Sequence, residues 1–141
     1  MIRSLIVFLM WSLLLMTGPV PGSQAAAPVT ITMKVTAQGL LVSGIPMENK
    51  RMTVPRGTRV RLVLNYADTN HNAHKFTLTA KDTEVTSPVM DGEARKTATI
   101  EFTAGDRGQE FYRLSCELPC IAMDELVDYI IMVGPAKSAA L

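Results

Sequence analysis

Thr58-Arg-Val-Arg-Leu-Val-Leu-Asn-Tyr66 decides the fold class. Val60, Leu62, Leu64 and Tyr66 fall on one side of an extended chain, and Arg59, Arg61 and Asn65 on the other. Side chains of a strand alternate between its two faces, so this order describes a half-buried β-strand. Pro55-Arg56-Gly57 just ahead of it marks a turn. The same alternation recurs outward in both directions. Val29, Ile31, Met33 and Val35 alternate with Thr30, Thr32, Lys34 and Thr36; Phe76 and Leu78 alternate with Lys75, Thr77 and Thr79. Ala98, Ile100 and Phe102 alternate with Thr97, Thr99, Glu101 and Thr103, after which Gly105-Asp-Arg-Gly108 turns the chain into an expected strand over residues 110–116. The β-branched apolar run over residues 126–133 is expected to be a buried last strand. No helical stripe exceeds about two turns, which leaves short helices only around residues 90–95 or 123–126. Short strands at regular spacing with Gly and Pro turns imply an all-β Greek-key sandwich or barrel.

The N-terminus follows a different logic. Arg3 precedes the apolar stretch from Leu5 to Met16, Gly18 and Pro19 interrupt it, and small residues run from Ser23 to Ala27. That is the order of a secretory signal peptide, expected over residues 1–25 with cleavage after Ala25. Its apolar part is shorter than the roughly 20 residues of a bilayer span, so an uncleaved membrane anchor is the lesser alternative. A periplasmic or otherwise exported protein follows. Residues 26–135 make one domain of ordinary small size, and residues 136–141 a tail expected to fray. The whole chain carries 14 basic and 13 acidic side chains, and Arg3 is the only charge of the leader, so the chain that follows the leader is formally neutral. Neutral balance without a basic run argues against nucleic acid as a partner. Trp11, the only tryptophan, belongs to the leader. The core therefore falls to Phe76, Phe102, Phe111, Tyr66, Tyr112, Tyr129 and aliphatics.

The chemistry is concentrated in two places. Cys116 and Cys120, the only cysteines, stand in Tyr112-Arg-Leu-Ser-Cys-Glu-Leu-Pro-Cys-Ile-Ala-Met123, where an expected strand gives way to a loop. Both histidines stand in Asn70-His-Asn-Ala-His-Lys-Phe76. Thiolates, imidazoles and a thioether form a soft donor set that suits copper, with zinc as its competitor. A disulfide between Cys116 and Cys120 is the plain alternative in an oxidising compartment. A bridge across three residues closes so small a loop that it stabilises by only about 2 kcal/mol or less. Nothing resembles a thiol-protease flank, a Ser-His-Asp arrangement, a phosphate-cradling glycine loop or a nucleotide fingerprint, so an enzyme is not expected.

On these residues the chain resembles the cupredoxins, and among them most closely the dinuclear-copper domain of cytochrome oxidase subunit II. His74-Lys-Phe76 is similar to the His-x-Phe that supplies that family's first copper imidazole, and Tyr112, Cys116 and Cys120 match its Tyr-x-x-x-Cys-x-x-x-Cys. The resemblance implies a cupredoxin-like sandwich, one or two copper ions, and His74, Cys116 and Cys120 as ligands, with the backbone carbonyl of Leu118 as a weak oxygen donor. It also implies electron transfer, with a redox protein or membrane oxidase as partner. The departures are specific. Asp124 stands where the family has its second histidine, Val127 where it has its methionine, and Glu117 follows the first cysteine directly. Met123 and His71 are the candidate replacements, and a second copy of the chain is another source of donors.

Several alternatives stay open at this level. His71 either approaches the metal of His74 or points into solvent. Met47, Met52 and Met90 line either a copper access path or the core, while Met33 and Met132 are expected in the core. Asp124, Glu125 and Asp128 either form a solvated face or steer a basic partner. An irregular ligand set is also what a copper carrier or assembly factor for a membrane oxidase requires. The third reading is a metal-free, disulfide-bonded interaction domain.

Overall fold

In a computed structural model of the protein, residues 27–117 and 129–136 are described. Their strands are β1 (Val29–Thr36), β2 (Gly39–Ser43), β3 (Arg51–Pro55), β4 (Arg59–Tyr66), β5 (Phe76–Ala80), β6 (Thr83–Thr86), β7 (Thr97–Thr103), β8 (Phe111–Cys116) and β9 (Tyr129–Gly134). They form two sheets, ordered β2-β1-β4-β7 and β3-β9-β8-β5-β6. β1 pairs parallel with β4 and β3 parallel with β9, while the other pairings are antiparallel. Chain neighbours are thus shared out between two layers, and the layers must meet face to face to bury their apolar sides.

The alternation seen in the sequence is what faces inward. Ile31, Met33 and Val35 of β1, Val60, Leu62 and Leu64 of β4, and Ala98, Ile100 and Phe102 of β7 supply one inner face. Met52 and Val54, Phe76 and Leu78, Tyr112 and Leu114, and Tyr129, Ile131 and Val133 supply the other. The rings of Phe102 and Tyr112 meet across the core at 4.4 Å between centroids, and the Tyr112 hydroxyl donates to the Thr103 carbonyl at 2.8 Å. Tyr129 ties the sheets together: its hydroxyl accepts from the Leu40 N–H at 3.2 Å and faces the Leu40 carbonyl at 3.4 Å. Tyr129→Phe keeps the ring but strands a buried backbone N–H. It should lower stability by about 1–2 kcal/mol, read as a lower urea midpoint at unchanged slope.

Four expectations change. Phe111 is 53% exposed and Met132 is 37% exposed, so neither is core. The two are directly paired across β8 and β9, and period two sends them outward because Tyr112, Leu114, Ile131 and Val133 point in. Of the three methionines that could line an access path, Met52 and Met90 are buried and only Met47 is exposed, which favours packing; Met33 is buried in the core as expected. Residues 90–95 form no helix. Instead Asp91 Oδ1 accepts from the backbone N–H groups of Arg95, Glu93 and Ala94, at 3.1, 3.0 and 2.9 Å, and holds a bend. β2, β3 and β6 are strands that the sequence pattern does not announce. Pro55 is tolerated because it ends β3, the outermost strand of its sheet. The expected leader, residues 123–126, the first part of the last apolar run and the last five residues of the tail lie outside the described residues.

The Asp91 bend carries a pH prediction. Donation from Arg95, Glu93 and Ala94 holds its carboxyl below the ordinary carboxylate range. A depressed native pKa contributes stability that is complete above the unfolded value, about 3.9 for aspartate, and is lost as pH falls through the lower native value. Asp91→Asn should therefore flatten the acid limb of the stability curve, and an NMR titration of Asp91 should show a midpoint below that of a model peptide.

Candidate metal centre

The ladder between β5 and β8 sets the site. Phe76 is paired with Cys116, and the Glu117 N–H donates to the Lys75 carbonyl at 2.8 Å, so the start of β5 and the end of β8 lie side by side. His74, two residues before Phe76, falls next to Cys116. Its backbone is fixed independently: His74 and Met90 exchange N–H to carbonyl hydrogen bonds of 2.8 Å in each direction. The Glu117 carboxylate then clamps the outside of the pair, accepting from Lys75 Nζ at 2.7 Å and from the Thr77 hydroxyl. Lys75 first, then Thr77, hold that carboxyl below its ordinary range.

His74 is fully buried. Its Nδ1 lies 4.0 Å from Cys116 Sγ, a long sulfur–nitrogen hydrogen bond. Its Nε2 lies 2.8 Å from Asp68 Oδ2, and the Asp68 side chain is also fully buried. Asp68 in turn accepts from the Asn70 N–H at 2.7 Å and from Asn72 Nδ2 at 3.0 Å. Tyr66 and Phe76 rings flank the imidazole, at 5.7 and 6.3 Å between centroids. Tyr66 is seated by donating to the Asn72 carbonyl at 2.9 Å. It also leaves no room at Gly92, which has φ +79° and where an added Cβ would stand 2.3 Å from the Tyr66 ring.

Opposing influences act on the two buried titratable groups. Burial disfavours the charged imidazole, but hydrogen bonds and charge from Cys116 and Asp68 outweigh it, and His74 is held above its ordinary value. Burial likewise pushes the Asp68 carboxyl up, and hydrogen bonds from Asn70, His74 and Asn72 outweigh that and hold it below.

The pair fits a soft metal ion. Bonds of about 2.0 Å to nitrogen and about 2.3 Å to sulfur span a 4.0 Å gap at an N–metal–S angle of roughly 130–140°. With Nε2 turned to Asp68, Nδ1 is the nitrogen facing the sulfur. Among the described residues no three His, Cys, Asp or Glu side chains form a metal-holding group. His71 is therefore not brought to His74 and Cys116; it is exposed, with left-handed backbone at φ 57°. Cys120, Met123 and the Leu118 carbonyl, the other donors expected from the sequence, lie outside the described residues, as does Asp124. Sequence reasoning missed Asp68 and the Met90 backbone. An aspartate two positions before an asparagine signals only a local turn, which Asp68 also makes, and nothing local reveals that its other oxygen meets a histidine.

No protein-family model matches the chain, and no curated protein does. Solved structures do. A dithionite-reduced auracyanin from the photosynthetic bacterium Roseiflexus castenholzii matches with a TM-score of 0.55 at 15% identity, covering 77% of this chain and 99% of its own. Auracyanin B matches at 0.54 and 13%, covering 77% and 91%. A chain of a heme-copper terminal oxidase dimer matches at 0.50 and 13%, covering 74% of this chain and 63% of its own. At such identities the likeness is one of fold. The chain has the all-β, cupredoxin-like sandwich expected from its sequence.

Proposed function

We propose that the protein is a copper-binding, cupredoxin-like electron-transfer protein, exported from the cytoplasm, whose metal is held by His74 Nδ1 and Cys116 Sγ with Cys120 and Met123 completing the set. The observation that carries this reading is the fully buried His74, with one ring nitrogen engaged by Asp68 and the other 4.0 Å from a cysteine sulfur. The fold shared with two auracyanins and an oxidase chain supports it. Bound copper would supply a one-electron couple. The residues around it supply rigidity: the His74–Met90 bridge, the Glu117 clamp and the β5–β8 ladder fix both donors from opposite sides. Donors that cannot move keep the cost of changing oxidation state low, which favours rapid transfer. The partner is then a redox protein or membrane oxidase, and a second copy of the chain in a homodimer is a further source of donors.

Asp124 favours a second reading, a copper carrier for such an oxidase. It stands where the resembled family has a histidine, and a weaker donor set releases its ion more readily. One comparison separates the two. Protein loaded with Cu(I) is mixed with a one-electron oxidant, which takes one electron from the bound ion, in one arm and with a Cu(I) chelator in the other. Electron transfer expects rapid oxidation in milliseconds with the metal retained; prompt loss of the metal to the chelator with slow oxidation supports the carrier.

A further inference from the structure

We infer that Asp68 is the positioning residue of the site: its carboxylate keeps the His74 proton on Nε2, so that Nδ1 is the donor nitrogen, and it places a compensating negative charge behind the imidazole. This rests on the copper reading for the metal's identity, but not for the position of the proton.

The argument starts from the hydrogen-bond inventory of a carboxylate with no exposed surface. Asp68 Oδ1 accepts from the Asn70 N–H, and Oδ2 accepts from Asn72 Nδ2 and stands 2.8 Å from His74 Nε2. An ionised carboxylate has only acceptors to offer, so a neutral His74 is satisfied there only as a donor through Nε2–H. The tautomer protonated on Nδ1 would leave two lone pairs facing each other at 2.8 Å in a buried place, a cost that no solvent relieves. The lone pair of Nδ1 consequently points at Cys116. The choice of nitrogen is made by the protein before any metal arrives.

The same carboxylate has a second effect. A hydrogen bond from a ligating imidazole to a carboxylate orients the ring and makes its other nitrogen more basic. A buried negative charge favours the more highly charged ion of a redox couple, because little solvent screens it. Asp68 should therefore lower the reduction potential and favour the oxidised state. It also ties the loop carrying His71 to the ligand, since Asn70 and Asn72 hang from the same two oxygens.

Long-range nitrogen–proton NMR on the reduced, metal-free protein tests the first part without copper. His74 should show the Nε2-protonated pattern, and a His71→Asn variant assigns the two histidines. A neutral ring with its proton on Nδ1 and none on Nε2 would overturn the inference. Copper titration and voltammetry of Asp68→Asn and Asp68→Ala test the second part. Asp68→Ala should lose about 10- to 100-fold in copper affinity, the usual cost of an outer partner, and populate both tautomers. Asp68→Asn, which keeps an acceptor oxygen but no charge, should recover most of the affinity and still show a raised potential. Unchanged affinity and potential in both variants would overturn the second part. If wild-type protein binds no copper while NMR finds the proton on Nε2, the copper reading fails and the positioning of His74 by Asp68 stands.

Discussion

Cys116→Ser should lower copper affinity by more than about 100-fold. Loss of a partner that merely orients a ligand typically costs about 10- to 100-fold, and the removal of a sulfur donor exceeds that. A hydroxyl at this position is a hard, neutral donor at ordinary pH, while the ion in question prefers a polarizable thiolate. The fold should survive, because Cys116 closes β8 at its end and packs only on the rim of the core. His71→Ala is the matched control. His71 is exposed and joins no metal-holding group of three among the described residues, so affinity should stay within a few fold of wild type. Competition with a Cu(I) chelator measures both. Equal losses for the two variants would move the site away from the β5–β8 ladder.

Phe76→Ala should cost about 3–5 kcal/mol of folding stability, the range for deleting a buried aromatic side chain. Phe76 is 1% exposed, sits in the main core, and joins that core to the site: it is paired with Cys116 and stacks beside His74 at an interplanar angle of 17°. Its loss opens a cavity where the two donors are anchored, so copper affinity should fall along with stability. Phe111→Ala removes the same side chain from the outward face of β8, where it is 53% exposed. That change should stay within about 0.5 kcal/mol, as surface substitutions do. Chemical denaturation of the two variants side by side reads the difference, and equal costs would contradict the inward and outward assignment of β8.

The parts of the fold legible from sequence were those with one wet and one dry face. β1, β4 and β7 announce themselves because a threonine, a charged residue or, between Leu62 and Leu64, the half-buried Val63 separates successive buried apolar side chains. β2, β3 and β6 are four or five residues long and lie at the ends of the sheet orders. β3 does alternate, with Met52 and Val54 inward, but two buried residues in a strand that ends on Pro55 make too short a pattern to stand out, and β2 and β6 have no regular alternation of buried apolar residues. Composition alone places Phe111 and Met132 inward, because large apolar side chains favour the core, whereas the alternation of their own strands turns both outward. At the site, His74 and Cys116 were legible because their flanks form motifs. Asp68 was not, because its burial arises only when the loop after β4 folds back over the imidazole, a long-range event with no local signature. Cys120, Met123 and Leu118 keep their standing as proposed donors from the sequence.

Copper titration of the thoroughly reduced protein, followed by optical and electron-spin spectra, tests the central claim most directly. Saturable binding of one or two ions per chain is expected. The oxidised form should show an intense visible thiolate-to-copper absorption that is weakened and shifted in Cys116→Ser, where Cys120 alone supplies a thiolate. A purple, mixed-valence spectrum at two ions would identify the dinuclear form, and a single oxidised ion the mononuclear one. Absence of stoichiometric binding after complete reduction, or an unchanged spectrum in Cys116→Ser, would contradict it.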